Sequence, residues 1–271
     1  MSVRVTDLTM ERNFLYNVFK SETRLGKLQD MASSGRAITR PQDDPIGSER
    51  SISLRHHLSV SKQYMRNLDK ARNWMEQTEQ ALSHLTSVLS RAHELALYGA
   101  TGTTPADARQ AIAAEIQQLL DEADSIANTT VDGRKLLSGT MPEWRLGADV
   151  TITGKSVQGT LDDVSGSMTK LAEGLENSND SDILAGAEGI GQAINEVLAE
   201  RAENGAKLRR LDILNDKAKA IDIEYQRLLS NVEDIDLTEV IVRLKSQEAA
   251  YQAALAAGAR LIQPSLLDYL R

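Results

Sequence analysis

Apolar residues along this chain recur at gaps that alternate four and three, the spacing that lays one hydrophobic stripe along a helix and turns it toward a partner helix. The first such run is Phe14, Val18, Ser21, Leu25, Leu28 and Ala32, and it stops at Ser33-Ser34-Gly35. A polar stretch over 36–45 follows and closes on Asp43-Asp44-Pro45. An acid followed by proline predicts a helix start, because the carboxylate caps free N–H groups and proline suits the first turn. No glycine or proline then interrupts the chain between Gly47 and Gly99, and Tyr64, Leu68, Ala71, Met75, Thr78, Leu82, Leu85, Leu89, Ala92 and Ala96 repeat the alternation. A helix of about 50 residues would be roughly 75–80 Å long and needs partners along its length. A turn over 99–105 leads into a second helix with the stripe Ile112, Ile116, Leu119, Ala123 and Ile126, ending near Asn128. A short connection makes the two antiparallel.

Asp132-Gly133 is a turn signal. From 141 to 180 glycines and serines appear, and Asp149-Val150-Thr151-Ile152-Thr153 alternates polar and apolar. This predicts a small β-rich or irregular insertion, tolerant of deletion. Helix resumes near Ile183, and Asn204, Leu208, Leu211, Leu214, Ala218, Ile221, Tyr225, Leu228, Val232 and Ile235 form a further seam. Asp236 can cap a final helix carrying Leu237, Ile241, Leu244, Glu248, Tyr251, Leu255 and Gly258, which Pro264 ends before an apolar tail. The expected fold is mostly α: a long antiparallel helical rod (43–140 with 181–229), paired terminal coiled-coil helices (1–42 with 230–271), and the insertion (141–180). Phe14, Val18, Leu25 and Leu28 are expected to face Ile241, Leu244, Tyr251 and Leu255. A stripe set off from the main body by a polar break cannot stabilise its own helix, so both are read as an assembly interface with other chains. Gly35, Asp43, Asp44 and Pro45 make the junction loop and helix cap.

Composition narrows the function. Basic residues number 31 and acidic 39, a net charge of -8, which argues against a nucleic-acid partner. Residues 1–40 carry seven basic and four acidic side chains and residues 232–271 four and six, opposite signs that favour pairing of the two ends. There is no cysteine, so disulfides and thiol chemistry are excluded. No apolar run reaches membrane-spanning length and no secretory signal is legible at the start. His93-Glu94 opens a zinc-protease pattern, but Leu97 stands where the second histidine would be. His56, His57 and His84 form no ligand set, Asp43-Asp44 reads as a cap, and Gly186, Gly189 and Gly191 lack the spacing of a dinucleotide loop. No catalytic residue, cofactor site or metal site is expected.

The stretches SGRAITRPQDDPIGSE (34–49), LSRAHELALYGATGTTPADARQAIAAEIQQLL (89–120), IANTTVDGRKLLSGT (126–140), SNVEDIDLTEV (230–240) and AALAAGARLIQPSLLDYLR (253–271) resemble the flagellins. Asp44-Pro45, Leu137-Ser138-Gly139-Thr140 and Leu267-Asp268-Tyr269-Leu270 resemble the hook–filament junction branch of that family more than filament flagellin, which remains the alternative. Arg91, Leu95 and Glu115 match positions of the flagellin surface seen by the innate flagellin receptor, with His93 in place of the usual arginine. The resemblance implies a structural subunit of the extracellular flagellum, exported by the flagellar type III route without signal cleavage. It implies as partners another hook-associated junction protein, filament flagellin, copies of the chain itself, and an export chaperone on the C-terminal helix. A soluble coiled-coil adaptor or chaperone, and more distantly a secreted hydrolase, are the readings outside the family.

Overall fold

The computed structural model describes residues 7–101 and 104–262, so Pro264 and the apolar tail lie outside the described residues. Among the described residues six helices and four short strands follow in the order α1 (Asp7–Ser34), α2 (Pro45–Gly99), α3 (Ala106–Ala127), β1 (Thr130–Val131), β2 (Arg134–Lys135), β3 (Glu143–Arg145), β4 (Thr151–Thr153), α4 (Gln158–Glu176), α5 (Asp180–Glu233) and α6 (Leu237–Ile262). The chain forms two compact units. One runs to Ser59 and takes up again at Ile223; the other is Val60–Asp222. The boundaries between them fall inside α2 and α5.

The 60–222 unit holds the main core. On α2 the predicted seam is buried at every position from Leu68 to Ala96, Thr78 included. Thr78 escapes the cost of a buried hydroxyl by donating to the Trp74 carbonyl at 2.9 Å. Thr86 and Ser90 do the same to Leu82 and Thr86, each at 2.7 Å. Against this seam lie Ile112, Ile116 and Ala123 of α3 and Ile183, Ile190 and Val197 of α5. Asn204 is buried and donates to the Met75 carbonyl at 2.8 Å, while Arg201 pairs with Glu79 at 2.8 Å. Both hairpins are antiparallel: Thr130 faces Lys135, and Trp144 faces Ile152. Asp132 and Gly133 have φ of 51° and 76°, the pair of left-handed conformations that a two-residue hairpin turn demands.

The expected insertion is corrected in part. Residues 143–153 do form a hairpin, but 158–176 is the helix α4, packed on α3. Leu161, Val164, Met168, Leu171 and Leu175 are buried in the core, spaced three and four apart like every other stripe in the chain. Gly159, Gly166 and Gly174, weak helix formers, obscured that period in the sequence. Packing supplied what propensity did not: α4 lies close against α5, where a side chain at Gly186 would stand 2.8 Å from the Leu171 backbone.

α4 is therefore structural. Leu171→Ala should destabilise the protein by about 2–5 kcal/mol, seen as a lower denaturant midpoint at unchanged slope. Deleting 145–178 removes α4 altogether and should leave no cooperatively folding 60–222 unit by calorimetry.

Candidate functional site

The site is built where the two halves of the terminal unit meet. α1 ends because Gly35 takes φ of 70°, which lets its N–H return to the Met31 carbonyl at 2.9 Å. The chain then runs beside the α5–α6 connection: Ala37 N–H donates to the Glu233 carbonyl at 2.6 Å, Ile235 N–H to the Gly35 carbonyl at 3.4 Å, and Arg36 bridges Asp234. Asp43 pins the loop. Its carboxylate takes the Arg40 N–H and the Thr39 hydroxyl at 3.2 Å and pairs with Lys27 at 3.2 Å. The hydrogen bond from Lys27 is the main reason the Asp43 carboxyl titrates below its usual range. Asp44 is the helix cap: its Oδ1 accepts the Gly47 N–H at 3.0 Å, with Pro45 at the first helical position. Asp236 caps α6 in the same way through the N–H groups of Thr238 and Glu239, at 2.9 and 3.2 Å.

Beneath this clasp lies a group that the sequence reading missed. Glu233 is 6% exposed at the last turn of α5. Arg55 grips it with two parallel bonds, Nε to Oε1 at 2.8 Å and Nη2 to Oε2 at 2.6 Å. Ser51 Oγ donates to Oε1, and Arg36 stands at 3.9 Å. The Arg55 bond, above all, holds the Glu233 carboxyl below its usual range. The available signal was a polar stripe at helical spacing, Ser48, Ser51 and Arg55, on a stretch of α2 that an apolar seam would otherwise continue.

α1 and α6 pair antiparallel, as the contacts of Phe14 with Gly258 and Ser21 with Gln247 require. Phe14, Val18, Leu25, Leu28, Leu244 and Tyr251 are half-buried. Ile241 and Leu255 are not brought into the pair: they are 42% and 45% exposed. The inward positions are Val240, which is buried, and Gln247 and Ala254, which are half-buried. Gln247 donates to Ser21 Oγ at 2.7 Å, so this polar pair sets the register. The opposite faces carry Leu15, Tyr16 and Phe19 on α1 and Val242 on α6, all exposed, with Phe19 at 70%.

The histidines are scattered. His57 stacks on Tyr225 at 5.3 Å, His84 faces Glu122 at 3.1 Å, and the His93 ring lies 3.2 Å from the Ala187 carbonyl. Arg91 bonds Glu115 and Glu94, and Leu95 is buried. Among the described residues no group of three or more His, Asp or Glu side chains is placed to hold a metal, and no helix is long and apolar enough to cross a membrane.

In a double-mutant cycle, Arg55→Ala and Glu233→Ala should show a coupling energy of about 1–3 kcal/mol. The pH dependence follows from the lowered Glu233 value. The unfolded chain binds the extra proton first, so the clasp contributes fully above the unfolded carboxyl value of about 4.3 and is lost as pH falls through the folded one. Glu233→Gln should flatten that acid limb in a series of melts.

Residues 5–141 match the bacterial flagellin N-terminal helical region and residues 187–270 the bacterial flagellin C-terminal helical region. Flagellar hook-associated protein 3 of Salmonella typhimurium is 24% identical, over 93% of this chain and 95% of its own length. Flagellin FlaB2 of Treponema pallidum is 27% identical, over 88% of this chain and 90% of its own. The crystal structure of Bacillus cereus FlgL shares the fold with a TM-score of 0.60 at 18% identity, covering 66% of this chain and 99% of that one. With α1 to β2 inside one matched region and nearly all of α5 and α6 inside the other, the chain belongs to the bacterial flagellin family.

Proposed function

We propose that this chain is a structural subunit of the bacterial flagellum at the hook–filament junction, joining another hook-associated protein to filament flagellin. The observation that carries the reading is the set of apolar side chains left open on α1 and α6, where Leu15, Tyr16, Phe19, Val242 and Leu255 are exposed. Exposed apolar side chains gathered in this way mark an interaction surface, and in a flagellin-family chain the cover is other flagellar subunits. Residues 1–42 with 230–271 are then the assembly module, with Phe14, Val18, Leu25, Leu28, Leu244 and Tyr251 holding the pair and Ile241 and Leu255 turned to neighbours. The 43–140 and 181–229 segments carry the load between contacts. Before assembly an export chaperone covers the α6 face, and the chain leaves by the flagellar route with its first residues uncleaved. Filament flagellin is the second reading, favoured by the near-full-length likeness to Treponema pallidum FlaB2.

Gold-labelled antibody separates the two: label confined to the hook tip supports the junction, label along the filament overturns it. Leu255→Asp should leave the free subunit folded, with a melting shift of no more than about 2 °C, because the side chain is already exposed. In cells it should give bare hooks and flagellin released into the medium; normal filaments would refute the assigned face. The reading includes no catalysis, so replacing His56, His57, His84 and His93 by alanine should leave swimming speed unchanged.

A further inference from the structure

Both tryptophans of this aromatic-poor chain meet in one place. Trp74 of α2 and Trp144 of β3 have ring centroids 5.9 Å apart and planes tilted by 56°. Trp74 is 5% exposed and belongs to the core, whereas Trp144 is half-buried and helps floor an open groove of about 420 Å³. That is the size of a small-molecule site. Lys70, Asn73 and Gln77 rise along one face of α2 on one side, and Asp132 and Arg134 of the β1–β2 hairpin stand on the other. All five are exposed, and among the described residues none makes a side-chain hydrogen bond or ion pair. Three neighbouring polar side chains are by contrast engaged: Asn67 holds the Arg145 carbonyl, Lys155 holds Glu200 and Glu203, and Lys135 holds Asn128.

The chemistry of that ring selects a ligand. An indole face is electron-rich and accepts the C–H face of a saturated ring. Two side-chain amides each offer both a donor and an acceptor, which suits vicinal hydroxyls. Two cations against one carboxylate leave a net positive rim, and a guanidinium takes a carboxylate through paired bonds. We propose that the groove binds an acidic pyranose, a hexuronic acid or a glycan ending in one. The ring stacks on Trp144, its hydroxyls pair with Asn73 and Gln77, and its carboxylate meets Arg134 and Lys70. Asp132 fills the remaining hydroxyl position and sets a preference against polyanions.

Because the chain has no other tryptophan, all indole emission of the full-length protein reports on this groove. Titration with glucuronate should change that emission saturably, with a midpoint on the order of 1–10 mM, as expected of a single sugar ring on an open site. Glucose should need about fivefold more, and Arg134→Ala should erase that difference while leaving the glucose response. The Asn73→Ala, Gln77→Ala double variant should abolish both responses at an unchanged melting temperature, since both side chains are exposed and unpaired. Absence of a saturable change up to about 100 mM would overturn the proposal. So would a response that survives the double variant, equal midpoints for glucose and glucuronate, or a stronger response to adenosine monophosphate than to glucuronate.

Discussion

One carboxylate decides how the chain's two ends are tied. Glu233 is burdened twice: it is buried, and it sits at the C-terminal end of α5, where the helix dipole already disfavours negative charge. Neither cost would be met by a flexible partner. Arg55 meets both because its planar fork takes the two carboxylate oxygens at once, with Ser51 completing the set. The same residue's carbonyl, free at the helix end, accepts the Ala37 N–H. Side chain and backbone of Glu233 therefore bind α2 and the α1–α2 loop together, and the placing of α1 beside α6 follows from that tie. The helices themselves could not impose it, since their shared seam is only half-buried along most of its length.

The repeat of four and three made the helices legible, and where it is strongest the agreement is residue by residue, as on α2 from Leu68 to Ala96. Asp44, Asp236 and Asp132-Gly133 were legible for another reason: their geometry is local, fixed by a few neighbouring backbone groups. The failures are tertiary. α4 hid behind its glycines, of which Gly174 alone lies close against α5, where a side chain would stand 2.8 Å from the Ile183 backbone nitrogen, a property that no single helix displays. On α6 Leu244 and Tyr251 are half-buried as the stripe has them, but Ile241 and Leu255 give way to Val240 and Ala254, which fit the stripe as well. What chose between them is Gln247 bonding Ser21 from 226 residues away. The Glu233 cluster needed three separate segments of sequence to be seen at once.

The two units answer to different kinds of force. In the 60–222 unit, large aliphatic side chains from four helices are removed from water almost completely, and the long polar contacts are rivets over a core that already closes. In the terminal unit the order is reversed. The polar clasp is well made, while the apolar contacts between α1 and α6 are partial and leave bulky residues facing outward. On the proposed reading both have a use: one part is complete alone, and the other would be completed by neighbouring subunits.

α2 carries the largest share of the core, yet it is not a uniform rod of backbone bonds. Thr78, Thr86 and Ser90 each hang a second hydrogen bond on a carbonyl one turn earlier, as does Ser87 on Ser83 at 3.2 Å. A carbonyl shared in this way is drawn off the helix axis and its own ladder bond lengthens. Four of them within about four turns give that stretch a built-in compliance. Thr78 lies in the core stripe itself, while Thr86, Ser87 and Ser90 lie off it, so a slight bend at those three can be taken up without disturbing the buried side chains.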